Sequence, residues 1–209
     1  MIKIILAYDE DNYTLGEYFA YCAFNISQYF NDEQHGIIKI TGRVLNSAYI
    51  DLELSKHENI PFLFIAYSHG TKHSLISDEE YLSNSSNLLP FQDSFFYTFS
   101  CSSGIELGMN LIDNGAKVFI GYKSDVYIIT TYQQIFAECA NEGMKYFLKG
   151  ESVENSFLKM IEKHNDEIDN IYSKNFFVAS TIRQNRDSLI LKGKQAHWTV
   201  NDFLFVANS

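Results

Sequence analysis

The sequence predicts an α/β fold, a three-layer αβα sandwich with a mainly parallel sheet, and three observations predict it. Short apolar runs rich in β-branched and aromatic residues alternate with longer amphipathic stretches along the chain. The runs FLFIAY (62–67) and AKVFIGY (116–122) are continuously rather than alternately apolar, as strands covered on both faces are. The 209 residues amount to about 1.4 domains at roughly 150 residues each, so one domain over 1–209 is expected.

Taken in order, Ile2 to Tyr8 reads as the first strand. Thr14-Leu15-Gly16-Glu17 fits a capping box, predicting a helix from there to about Phe30, with Leu15, Phe19, Cys22, Ala23 and Ile26 on one face. Ile37 to Ile40 is a short strand, and residues 43–57 read as a second helix. Pro61 opens the strand Phe62 to Tyr67. The Ser- and Asn-rich stretch 71–93 reads as a hairpin or long loop around Ser74 to Leu82. Ser94 to Phe99 is a strand. Ser103-Gly104-Ile105-Glu106 then fits a second capping box, with a helix running to Asp113 and stopped by Asn114-Gly115. Ala116 to Tyr122 is a strand, and 132–148 and 152–172 are helices separated by Lys149-Gly150. Phe176 to Ala179 and Leu189 to Leu191 read as short strands, the second ending at Gly193.

Composition narrows the function. Sixteen Lys and Arg against 26 Asp and Glu leave a net charge of −10, which argues against a nucleic-acid or anionic-membrane surface. At 46% hydrophobic and 20% charged residues, the chain is neither disordered nor a membrane protein. The N-terminal apolar run is too short for a signal peptide, lacks a small-residue cleavage site and ends in acids. Three scattered cysteines make neither a disulfide framework nor a zinc site, and their odd number favours a reducing, cytoplasmic location. No GxSxG elbow, P-loop or GxGxxG occurs. The acidic run Asp9-Glu10-Asp11 reads as a solvated turn rather than a cation site.

In a sheet of this kind the active site lies beyond the carboxyl ends of the strands. Ser68-His69-Gly70 follows one apolar run and Ser100-Cys101-Ser102 follows another. If those strands are neighbours, a histidine and a cysteine stand together, the pairing a thiolate nucleophile needs. A helix starting just after Cys101 would lower its pKa. The backbone N–H groups of Gly70 and Cys101 could hold an oxyanion, a place where a side chain on residue 70 would crowd the reacting carbonyl. Cys22 and Cys139 fall mid-helix on core faces. His73 reads as a loop residue or a substrate-side contact. His35, His57, His164 and His197 read as surface or structural.

FLFIAYSHG (62–70), FFYTFSCSSG (95–104) and GAKVFIGY (115–122) together resemble the caspase-like clan of cysteine peptidases, which includes caspases, metacaspases, gingipains, clostripain, legumain and CHAT proteases. The resemblance covers roughly residues 60–125. It implies a caspase-like fold and a cysteine endopeptidase with Cys101 as nucleophile and His69 as general acid. Gly70 and Cys101 would form the oxyanion hole, and no metal or organic cofactor is required. Relatives place a specificity residue two positions before the nucleophile, where this chain has Phe99; that implies an apolar or small P1 side chain. Tyr122 to Asp125 forms the other expected wall, where an acid such as Asp125 could supply the charge for a cationic substrate. The expected partners are a protein or peptide substrate and a regulatory protein, since 209 residues leave no room for a sensor domain. By analogy with relatives, a bacterial defence or cell-death role fits. Two alternatives stay open: a catalytically silent interaction module, and a non-peptidase thiol amidohydrolase or acyltransferase.

Overall fold

The computed structural model describes residues 2–31, 33–57 and 60–206. Among them the strands are β1 (Ile2–Tyr8), β2 (His35–Thr41), β3 (Phe62–Tyr67), β4 (His69–Gly70), β5 (Ser74–Ile76), β6 (Glu80–Ser83), β7 (Phe95–Phe99), β8 (Val118–Tyr122) and β9 (Leu189–Lys192). The helices are α1 (Gly16–Ser27), α2 (Ser47–Ser55), α3 (Leu107–Asp113), α4 (Gln133–Leu148), α5 (Val153–Tyr172), α6 (Phe176–Ser188) and α7 (Val200–Val206).

Six of these strands form one sheet in the order β2-β1-β3-β7-β8-β9, parallel except for β9, which runs antiparallel to β8. Alternation along each strand divides the core into two layers. Leu63, Ile65, Tyr67, Tyr97 and Tyr122 pack with α1, α4, α5 and α6 on one face. Phe62, Phe64, Phe96 and Phe119 pack with α2 and α3 on the other. The three-layer arrangement is therefore as the continuous apolar runs predict: a strand covered on both sides has no solvent face on which to place polar residues. Phe64, Phe96 and Phe119 are cross-strand partners whose rings stack, with centroids 4.9 and 5.6 Å apart and planes within 16°. A second, three-stranded antiparallel sheet, β4-β5-β6, stands over the carboxyl end of β3, so 71–93 holds more regular structure than its polar composition suggests.

The chain leaves β1 toward β2 on one side and returns past it to β3 on the other. The carboxyl ends of β1 and β3 thus flank the point where strand order reverses, where an open α/β sheet forms its crevice.

Four local expectations are corrected. The box at Thr14 does not form; Asn12 Oδ1 accepts from the backbone N–H groups of Thr14 and Leu15 at 3.1 and 3.0 Å, and α1 ends at Ser27 rather than Phe30. The box at Ser103 does not form either, because its hydroxyl donates to the Ser100 carbonyl at 3.1 Å and α3 starts only at Leu107. The stretch 43–57 is a short 3-10 turn (Gly42–Val44) and then α2, which Asn46 caps by accepting from the Tyr49 N–H at 3.0 Å. Phe176 to Ala179 is not a strand but the first turn of α6, where Asn175 caps by accepting from the Val178 N–H at 3.2 Å. A β-rich tetrapeptide inside a helix is the usual case of tertiary context overriding propensity.

Candidate active site

Strands β3 and β7 are direct neighbours, with Tyr67 opposite Phe99. The pairing continues past the strand ends: Ser68 N–H donates to the Phe99 carbonyl at 3.4 Å, and Ser100 Oγ donates to the Ser68 carbonyl at 2.9 Å. His69 and Cys101 each stand two residues beyond the Tyr67–Phe99 pair, on the same rim of the sheet. Gly70 lies against this turn so closely that a Cβ on it would stand 2.8 Å from Ser100 Cβ and 3.0 Å from the Cys101 carbonyl oxygen. Glycine is therefore demanded here by the contact with Ser100 and the Cys101 backbone.

The hairpin bearing His69 is tied to the segment bearing Cys101 a second time. The Lys72 carbonyl accepts from the N–H groups of Glu106 and Leu107, at 3.1 and 2.8 Å, so the β4–β5 turn caps α3. Lys72 Nζ and His73 Nδ1 both meet the Glu106 carboxylate, at 3.2 and 2.8 Å. His73 is thus placed on the segment after Cys101 and held by Glu106.

The electrostatics at Cys101 differ from the sequence expectation. Helix α3 begins six residues downstream and its first N–H groups are already bonded, so no helix end acts on the sulfur, an influence that fades within one turn. Burial instead pushes the thiol above its ordinary pKa; the Val126 backbone contact draws it back, and the Asp125 carboxylate adds to the rise. Val126 N–H donates to Sγ at 3.5 Å, and Sγ lies 3.8 Å from the Val126 carbonyl. Asp125 accepts from Ser102 Oγ at 3.2 Å, which brings it to the residue next to Cys101.

Phe99 and Tyr122 are placed elsewhere than expected. Phe99 is 4% exposed and packs edge-on against Tyr18 and Tyr122, with centroids 5.3 Å away in both cases, and Tyr122 is fully buried. Side chains alternate along a strand, so both rings face the α1/α4 core layer rather than an open pocket. They correct the expectation of an apolar substrate wall. A cleft of about 580 Å³ near the end of β1 is lined by Glu10, Thr14, Glu17, Tyr18, Thr130 and Gln133 among others, but by neither His69 nor Cys101.

Sequence reasoning missed Asp9. It is the first residue after β1, its N–H donates to the Tyr67 carbonyl at 3.0 Å, and it is only 2% exposed. The acidic run is therefore not uniformly a solvated turn: Glu10 and Asp11 are exposed and Asp9 is not. Its Oδ1 accepts from Ser77 Oγ at 3.0 Å, while Oδ2 is buried without a hydrogen-bond partner among the described residues. Burial raises its pKa, and the Ser77 hydrogen bond and the attraction of His69 oppose the rise. The His69 ring meets the edge of Phe19 with centroids 5.6 Å apart. The signal was available: inspecting the residue after each apolar run selects Asp9 by the same rule that selected His69 and Cys101. Cys22 and Cys139 are buried inside α1 and α4.

Compared by sequence, the chain matches no protein-family model and no curated protein. Compared by structure, it is similar to gingipain R (RgpB), an Arg-specific cysteine proteinase, with a TM-score of 0.61 at 12% identity over 94% of this chain and 47% of that one. It is likewise similar to RgpB in the complex of the Porphyromonas gingivalis pro- and mature domains, with a TM-score of 0.54 at 13% identity over 95% and 48%. The chain spans about half the length of the proteins it matches. The caspase-like fold implied by the motifs at 62–70, 95–104 and 115–122 is therefore the fold of this chain. Among the described residues no helix is long and apolar enough to cross a membrane.

Proposed function

We propose that this chain is a cysteine endopeptidase, one domain over 1–209, that cleaves peptide bonds with Cys101 and His69. The observation that carries the reading is the registered pair Tyr67–Phe99, with the histidine and the cysteine each two residues beyond it on neighbouring strands. The Cys101 thiolate attacks the peptide carbonyl, and His69 protonates the departing amine. Water then hydrolyses the acyl-enzyme. The N–H groups of Gly70 and Cys101 receive the oxyanion. Asp9, at the end of the neighbouring strand, acts on the imidazole through its charge rather than through a hydrogen bond. With no helix end to acidify the sulfur, the thiolate forms by proton transfer to His69 as the sulfur attacks the carbonyl.

The burial of Phe99 removes the basis for an apolar P1 preference. A regulatory protein partner and a cytoplasmic site of action belong to this reading, the former in keeping with a fold also found in a complex of pro- and mature domains. The defence or cell-death role is an analogy with caspase-like relatives.

A second reading, a catalytically silent interaction module, is favoured by one observation: the sulfur is engaged by the Val126 backbone and its pKa is raised. Incubating the purified protein with a diverse peptide pool, read by mass spectrometry, separates the two. Cleavage that disappears in Cys101→Ala and falls sharply in His69→Ala supports the peptidase. No cleavage, together with no modification of Cys101 by a peptidyl electrophile, leaves the module.

A further inference from the structure

The segment after β8 has no regular secondary structure, yet residues 123–127 are fixed on both sides. Lys123 N–H donates to the Ser188 carbonyl at 2.8 Å, and Ser124 gives both its N–H and its hydroxyl to Ser188 Oγ, at 3.0 and 2.8 Å. Tyr127 N–H donates to Asn185 Oδ1 at 2.9 Å, and Asn185 Nδ2 donates back to the Tyr127 carbonyl at 2.6 Å. Asn185 and Ser188 are three residues apart in the last turn of α6 and are 2% and 1% exposed. Between these two anchors lies Val126, whose N–H and carbonyl both meet the Cys101 sulfur. The near side is closed by Ser102, which adopts a positive φ of 55° and donates its N–H to the Ser124 carbonyl at 3.0 Å.

We propose that residues 123–127 form a latch over the Cys101 thiol, and that Asn185 and Ser188 are the catch that holds it shut. A buried asparagine that satisfies both backbone groups of one loop residue substitutes for a strand partner, and a loop built this way opens as a unit. Cys101 is half-buried, and with Val126 in place main chain lies against one side of its sulfur. An incoming carbonyl reaches the sulfur after the 123–127 segment lifts from the end of α6. The catch lies on the far side of the segment from His69 and Asp9, so it can be loosened without touching them. The latch governs access to the thiol whether its substrate is a peptide or another acyl compound, so it stands or falls apart from the peptidase reading.

The test is the rate at which iodoacetamide modifies Cys101 in the folded protein, followed by peptide mass mapping. Asn185→Ala removes two hydrogen bonds and shifts the latch about tenfold or more toward the open form, at the usual net worth of such bonds. Ser188→Ala acts in the same direction through Ser124. A faster reaction in either alanine variant, with the circular dichroism of the wild type, supports the latch; unchanged rates in both folded variants overturn it. If neither variant folds, amide exchange of the wild type decides. Protection of the Tyr127 amide supports the latch, and exchange at the rate of an open loop overturns it.

Discussion

Replacing Gly70 by alanine sets a single methyl group against a wall that cannot yield by side-chain rotation. The added carbon would lie 2.8 Å from Ser100 Cβ, about 0.7 Å inside the shortest comfortable carbon–carbon separation. Ser100 is itself fixed, buried with its hydroxyl on the Ser68 carbonyl at 2.9 Å and on Thr98 Oγ1 at 2.8 Å. The φ of Gly70 is not in the left-handed region, so the cost is steric rather than conformational. Relief requires the His69–Gly70 strand to move away from the Cys101 turn. Overpacking of this size costs about 1–3 kcal/mol of stability. A displacement approaching 1 Å between reacting groups lowers turnover by roughly 10²-fold. Urea denaturation and steady-state cleavage of the best peptide from the pool measure the two effects separately. Adding Ser100→Gly removes one of the two opposing atoms and restores part of both losses, a coupling a double-mutant cycle reads directly. Gly70→Ala within about 0.5 kcal/mol of wild-type stability and with wild-type turnover would refute the claim that these two segments are in contact.

Three further outcomes follow from burial. Asp9 has a raised pKa, so the folded chain keeps that proton better than the unfolded chain, and stability falls as pH rises from 3.8 through the folded value. Asp9→Asn escapes that loss and is the more stable protein at neutral pH while its turnover drops; a stability difference that does not change with pH would contradict it. His164 is buried in α5 with Nδ1 donating to the Met160 carbonyl at 2.7 Å, and burial lowers its pKa from 6.5 to about 4. Its stabilising effect is complete above pH 6.5 and is lost as pH falls toward 4, by up to about 3 kcal/mol. Urea midpoints of wild type and His164→Gln across that interval check this, and parallel curves would count against it. Burial also pushes the thiols of Cys22 and Cys139 above their ordinary range. Iodoacetamide therefore labels Cys101 first in the native protein and all three cysteines in denaturant; early labelling of Cys22 would be incompatible with the core.

Strands were legible because burial on both faces leaves a signature that needs no partner to interpret: FLFIAY and FFYTF are wholly buried in the structure. The long helices α4 and α5 were legible from their length and the break at Lys149-Gly150. Helix starts were not, because Thr14 and Ser103 carry the right chemistry while Asn12 and the Lys72 carbonyl reach the N–H groups first. The first four residues of α6, FFVA, read as a strand because propensity outweighed the cap at Asn175. In the site, the residues directly after strands were readable, since strand order alone brings them to one rim. What the sequence hid was side-chain direction and burial: Phe99 faces the core, Asp9 is enclosed, and the backbone of Val126 meets the sulfur. Each depends on contacts spanning tens of residues.

The stacked rings of Phe64, Phe96 and Phe119 have a bearing on residues they never touch. A strand can slide only in steps of two residues without turning its core side chains to the wrong layer, and one such step moves its end by roughly 6.6 Å. The triple stack makes every such step costly for β3, β7 and β8 at once. It works like a vernier, keeping the imidazole and the sulfur level with each other from the opposite helical layer.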